Sequence, residues 1–440
     1  MQDASNLATT TPGGTEASPT FAEALRVWAR IGVLSFGGPA GQIALMHREL
    51  VEERKWIDEP RYLNALNFCM LLPGPEAMQL ATYVGWRLHG LKGGLAAGLL
   101  FVLPGALVVL VLSMLYAAFG KLPVAEAVFI GVKAAVLAIV VEALLRIARR
   151  SLKTNVEWLI GGLAFVGIYF LAVPFPIIVL CAALVGFFRA SAPKEPVQAT
   201  PASVSLAQTA ATVLVWLAIW VLPLLALAAM FGQSHVTTQL ALFFSKLAVV
   251  TFGGAYAVLA YMAQDVVTHY GWLTAGEMLD GLGLAETTPG PLILVTEFVG
   301  FLAAHRHGGG NPWMMGVLGA AVTLWATFVP CFLWIFAGAP YIERLNAEPR
   351  LKSALAAVTA AVVGVILNLT VWFALHVLFA TVREHNVGPL RLQVPELASV
   401  SWPALLLSAL AVVLLFVLHR GIVTTLGICA ALALAWHLVG

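Results

Sequence analysis

Five stretches of this chain, residues 93–120, 159–188, 208–231, 312–341 and 353–382, contain no Asp, Glu, Lys or Arg. Each exceeds the roughly 18 uncharged apolar residues that mark a membrane-spanning helix. A bilayer offers no water to the backbone, so spanning segments are helices or closed barrel strands. These runs are continuous rather than alternating over about ten residues, which excludes barrel strands. Only 10% of the 440 residues are charged, against about 25% in a soluble domain. The chain therefore reads as an all-α, multi-pass membrane protein whose first partner is the lipid bilayer.

The net charge of +2 comes with no basic tract, so no nucleic acid partner is expected. Cys69, Cys181, Cys331 and Cys429 are far apart and form no metal or redox spacing. The histidines are not paired for haem or zinc, and His376 inside an apolar run reads as a packed side chain. No phosphate-binding loop or dinucleotide fingerprint is present. No cofactor or metal is expected, and no enzyme.

The second constraint is a duplication. From Arg30 the chain reads RIGVLSFGGPAGQIALMHRELV and closes at LLPGP; from Lys246 it reads KLAVVTFGGAYAVLAYMAQDVV and closes at TTPGP. A constant offset of 216 aligns the two without a gap, with thirteen of forty-six positions identical. Arg30 meets Lys246, Ser35 meets Thr251, and Phe36, Gly37 and Gly38 meet Phe252, Gly253 and Gly254. Pro73, Gly74 and Pro75 meet Pro289, Gly290 and Pro291. At an offset of 226, FVLP (101–104) faces FVP (328–330), and GVKAAV (131–136) faces AVTAAV (357–362). Internal similarity on this scale means two copies of one structural unit.

In order, residues 1–19 read as a disordered tail without the basic and apolar regions of a signal peptide. An N-terminal repeat follows at 20–189. It holds helix a (20–46), a charged connection (47–61), helix b (62–89) broken by LPGP, then helices c (93–118) and d (125–146). Helices e and f are parted by VPFP at 173–176. A linker at 190–207 and one extra helix at 208–231 lead to the C-terminal repeat at 238–440. There the helices are a′ (239–262), b′ (274–305), c′ (312–337), d′ (351–382), e′ (402–419) and f′ (422–438). The count is about thirteen transmembrane helices. If b and b′ cross the membrane, a and a′ lie seven crossings apart and form an inverted repeat. If b and b′ are re-entrant, the repeats run parallel. Lys and Arg divide twelve inside to eight outside in the first scheme and fifteen to five in the second. Inversion is preferred because the lone inserted helix then has a role.

Arg30 and Lys246 each stand six residues before an FGG break, well inside an apolar helix. A charge at bilayer depth costs several kcal/mol unless paired or hydrated, so the matched pair points to an anion held between the repeats. Snorkelling to the interface is the competing reading, and the more natural one for Arg26. The FGG pairs leave backbone amides accessible, with Ser35 and Thr251 as neighbouring hydroxyl donors; close helix packing is the alternative. Each PGP stops a helix and restarts it at Pro75 or Pro291, where free amides and a partial positive charge face an anion. Glu76, just past the first PGP, is a candidate for proton coupling or an ordinary first-turn acid. Glu286 and Glu297 are further proton candidates, and Gln79 a hydrogen-bond donor to the anion.

The paired segments FGGP…KWI…LPGPEAMQLATYVGW and FGGAYAVL…GWL…TPGPLILVTEFVGF resemble the chromate ion transporter family in its long, two-domain bacterial form. The resemblance covers nearly the whole chain after the tail. It implies a secondary transporter in the inner membrane that exports chromate, a small tetrahedral dianion, and confers chromate resistance. A passive oxyanion channel, or a carrier of sulfate or molybdate, are the alternatives, and a homodimer is compatible with the sequence. In the family pattern glutamine is common where this chain has Glu297, which makes the second break the more acidic.

Overall fold

The computed structural model describes residues 19–36, 38–190, 205–250, 252, 255–342, 345, 348–388 and 390–439. The tail up to residue 18 and most of the linker lie outside the described residues. The first copy of the duplicated unit is built from α1 (Phe21–Leu34), α2 (Gly38–His47), α3 (Glu59–Cys69) and α4 (Glu76–Phe119), which kinks at His89 and Gly90. Then come α5 (Pro123–Ser151), α6 (Asn155–Tyr169), α7 (Phe175–Arg189) and α8 (Leu206–Phe231). The second copy supplies α9 (Val236–Val250), α10 (Ala255–Gln264), α11 (Ala275–Thr287), α12 (Val295–His307) and α13 (Pro312–Gly338). The chain closes with α14 (Pro349–Leu378), α15 (Trp402–Val412) and α16 (Ile422–Val439).

Six of these helices, α4, α5, α8, α13, α14 and α16, are long and apolar enough to cross a membrane. With the four shorter apolar helices (α6, α7, α9 and the one starting at Trp402), they make a helical multi-pass membrane protein. One element departs from the all-helical expectation. Helix d′ was expected to reach 382, but α14 ends at Leu378 and an antiparallel hairpin follows, β1 (Val382–Val387) on β2 (Leu390–Pro395). Gly388 supplies the left-handed turn at φ +63°. Arg383, Glu384 and His385 on β1 then end the apolar run.

The two copies repeat their local geometry residue for residue. Asp58 caps α3 by accepting from the Arg61 amide, and Thr274, at offset 216, caps α11 by accepting from Glu277. Trp56 donates its amide to the Leu50 carbonyl (2.8 Å), and Trp272 donates to Val266 (3.0 Å). A π-helical turn occupies Arg48–Glu53 in one copy and Asp265–His269 in the other.

The breaks reverse the chain rather than bending a continuous helix. The Phe68 and Tyr83 rings sit 6.3 Å apart across the first PGP, whereas fifteen residues of one helix would separate them by about 22 Å. Across the second PGP, Gly281 lies against the Phe298 ring. Arg306 clamps the base of that hairpin with a two-pronged bond to Glu277 (2.9 and 2.6 Å). The same test applies to the FGG breaks. Arg30 reaches Glu49 at 3.5 Å, and Lys246 lies over the Tyr261 ring at 5.6 Å, both far short of a straight helix. So the expected helices a, b, a′ and b′ are helical hairpins.

The copies also exchange helices. In the first, α5 packs against α15 and α16 of the second, with Gly131 on the Cys429 carbonyl. In the second, α14 packs against α6 and α7 of the first, with Gly161 meeting Gly364 and Gly186 meeting the Ser353 carbonyl. Glycine at each crossing lets two backbones approach where no hydrophobic force drives apolar helices together.

Candidate substrate site

The tip of the first FGG hairpin is stitched to the tip of the second PGP hairpin. Gly290 donates its amide to the Ser35 carbonyl at 2.8 Å. Gln42 Nε2 reaches both tips, donating to the Gly290 carbonyl (2.7 Å) and the Ser35 carbonyl (3.3 Å). Gly290 holds φ +92° there, and a side chain at Gly105 would overlap the Pro289 carbonyl. Gln42 was not singled out from sequence because its partner at offset 216 is Val258.

The first PGP has the corresponding neighbour from the other copy. Gly74, at φ +118°, leaves no room for a methyl, which would lie 2.9 Å from Cys331 Sγ and 2.8 Å from Gln79 Nε2. Cys331 stands 226 residues after Gly105. The two FVLP-type segments therefore do one job twice, each seating the PGP tip of the opposite copy. Gln79 is fully buried and donates to the Pro73 carbonyl at 2.6 Å, bracing the tip. Its Oε1 has no hydrogen-bond partner among the described residues. Pro75 precedes the first turn of α4, which begins with half-buried Glu76. Pro291 likewise precedes the turn Leu292–Leu294 that leads into α12.

Ser35 is buried, but its Oγ donates back to the Ile31 carbonyl at 2.6 Å. It faces the tip as an acceptor, not as the free donor expected. Phe36 is exposed at the turn and Phe252 is half-buried; each donates its amide two residues back, to Leu34 and Val250. Gly38 opens α2 at φ +70°. Gly37, Thr251, Gly253 and Gly254 lie outside the described residues.

The matched cations are not bare. Arg30 pairs through Nε with Glu49 Oε1, and Arg54 holds the other oxygen of the same carboxylate. Glu49 is 1% exposed. In the second copy Lys246 lies over the Tyr261 ring. Asp265 is the residue 216 positions after Glu49, on the matching π-helical turn. From sequence Glu49 counted only as one charge of the connection; only the chain reversal brings it under Arg30.

The three candidate proton carriers lie in different settings. Glu286 is buried and accepts from Tyr256 Oη at 2.8 Å. Glu297 is 1% exposed, and its Oε2 has no partner among the described residues. A further buried acid went unnoticed in the sequence: Asp280 pairs with Lys133 at 3.3 Å and accepts from Tyr116 at 2.8 Å. Among the described residues no cluster of His, Cys, Asp and Glu is arranged to hold a metal.

The duplicated sequence has a counterpart among known families. The family model for chromate transporters matches residues 22–187 and again residues 238–435. The chromate transport protein of Pseudomonas aeruginosa is 35% identical over 369 residues, 81% of this chain and 82% of that protein. That of Cupriavidus metallidurans is 31% identical over 379 residues, covering 83% and 86%. A probable chromate transport protein of Synechococcus elongatus is 32% identical over 342 residues, covering 78% and 81%. No solved structure matches. A double match spanning both copies, with relatives aligned over most of their length, means that this chain belongs to the chromate transporter family.

Proposed function

We propose that the protein is a secondary transporter that exports chromate from the cytoplasm across the inner membrane, with Arg30 and Lys246 serving a site formed by the hairpin tips. The observation that carries this reading is the tip-to-tip bond between Gly290 and Ser35. It puts the break of one copy against the break of the other, so that helix N-termini and glycine backbone meet there, with Arg30 five residues before Ser35 on the same hairpin. A compact oxyanion of charge −2 suits such a site, and the relatives named for chromate support that choice over sulfate or molybdate.

The hairpins imply a topology with nine crossings and four re-entrant hairpins rather than thirteen full spans. Pro19 and Phe21 sit beside His89 at the kink of α4, and Gly32 lies against Leu100. So α1 enters from the side where the second part of α4 begins. Five crossings then separate α1 from α9: the second part of α4, α5, α6, α7 and α8. An odd number inverts the second copy, although the b segments are re-entrant, because the a segments reverse as well. Thr209 bonded to Tyr341 at 2.7 Å supports placing the start of α8 and the end of α13 on one side. On this layout fourteen described Lys and Arg residues fall on the side of the N-terminus. Only Lys121, Arg306, Arg383 and Arg391 fall opposite. That imbalance supports a cytoplasmic N-terminus.

Export by alternating access would draw on the proton gradient or the membrane potential.

Inside-out vesicles or proteoliposomes should accumulate chromate above the external concentration when energised; equilibration without accumulation would mean a channel. Preference for sulfate or molybdate in competition would reassign the substrate. For topology, single cysteines at 121 and 306, placed after the native cysteines are replaced, should react with an impermeant maleimide in intact cells. Cysteines at 153 and 350 should react only after permeabilisation. The same labelling side for 121 and 153 would overturn the layout.

A further inference from the structure

We propose that Glu49 is an internal competitor of the substrate: it holds the matched cation Arg30 while the site is empty and yields it to an arriving dianion. This rests on the reading that Arg30 and Lys246 bind the transported anion. Three observations carry it. The two acids occupy one position of the duplicated unit, 216 residues apart, on matching π-helical turns. Glu49 is almost wholly buried, with Arg30 on one oxygen and Arg54 on the other. In the second copy Lys246, the cation matched to Arg30, lies over the Tyr261 ring, one turn before Asp265. Such turns are frequent at functional sites, because the extra residue redirects one side chain.

The geometry permits the exchange. Arg30 stands five residues before Ser35, about 7 Å along the helix from the hairpin tip. Its flexible side chain can reach back to Glu49 or forward to the tip, and not both at once. Glu49 keeps Arg54 when Arg30 leaves. The acid is not stranded during the swap, which keeps its cost low.

The arrangement has two consequences for transport. First, a carrier must return empty, and an uncompensated Arg30 at bilayer depth would oppose that step; Glu49 pairs with it. Second, the acid filters by charge. A monoanion such as chloride offers a cation no more charge than the carboxylate it must displace. A dianion offers twice as much. Selectivity against abundant monoanions then comes from Glu49 and not from the size of the site.

The test uses the purified full chain with chromate and chloride as probes. Glu49→Gln should bind chromate about tenfold more tightly, the scale of one charge-assisted hydrogen bond no longer contested. It should also become sensitive to chloride at concentrations the parent ignores. Chromate–chromate exchange should persist while net efflux slows. Glu49→Gln with Arg54→Gln restores the local charge count and guards against misfolding; it should keep the chloride sensitivity. Parent-like affinity and chloride response in a stably folded Glu49→Gln protein would reduce Glu49 to a structural ion-pair partner. If Arg30→Ala also binds chromate normally, the site assignment falls and takes the competitor with it. If only Glu49→Gln is silent, the site stands and the competitor role alone is lost.

Discussion

Replacing Arg30 or Lys246 with alanine is expected to abolish chromate export while the protein still inserts and folds. Each cation supplies a charge-assisted hydrogen bond to the anion, worth roughly 1.5–3 kcal/mol even after exchange with water. That corresponds to about a ten- to hundredfold loss of affinity for each, and transport against a gradient multiplies the deficit across every cycle. Folding should survive for a reason specific to this structure. Without Arg30, Glu49 retains Arg54; Lys246 rests on the Tyr261 ring, a contact whose loss leaves no buried charge behind. Arg30→Lys should recover part of the activity, because the charge is kept and the planar fork is lost. Chromate accumulation in energised vesicles, normalised to protein in the membrane, measures the effect. Normal accumulation by both alanine variants would remove the site from the hairpin tips.

The duplication was legible because it is written in the residues: Gly and Pro at fixed positions announce helix breaks whatever surrounds them. What a break does next was not legible. Pro73, Gly74 and Pro75 stop a helix, but the return of the chain is decided by Phe68 on Tyr83 and Arg306 on Glu277. Those contacts have no signature in a linear pattern, so the a and b segments read as bent spans. The same reversal hid Glu49, which looked like one charge of a loop until α2 doubled back under Arg30. Comparison at a fixed offset also favours whatever is symmetric. It found Arg30 with Lys246, and FVLP with FVP. It passed over Gln42, whose counterpart is Val258, and Asp280, whose counterpart is Asn64.

That asymmetry makes Asp280→Ala the second substitution with a large expected effect. Asp280 is 6% exposed and joins three helices: its own α11, α5 through Lys133 at 3.3 Å, and α4 through Tyr116 at 2.8 Å. The partners belong to opposite copies of the unit, and the equivalent positions, Asn64 and Thr359, carry no charge. Removing the acid alone leaves the Lys133 ammonium at membrane depth without its partner, a loss of about 3–5 kcal/mol for a buried pair. Asp280→Ala should therefore melt far earlier in detergent. Lys133→Met with Asp280→Leu, which removes both charges and keeps the volume, should recover most of the stability. In the proposed topology this pair ties the copies together on the outer side. The double variant should then hold that side less firmly and let chromate leak inward down its gradient, while the parent stays tight. Equal melting of the single and double variants would show that the ion pair does not hold the copies together. A tight double variant would move the outer closure elsewhere, to the Tyr256–Glu286 contact at the second PGP.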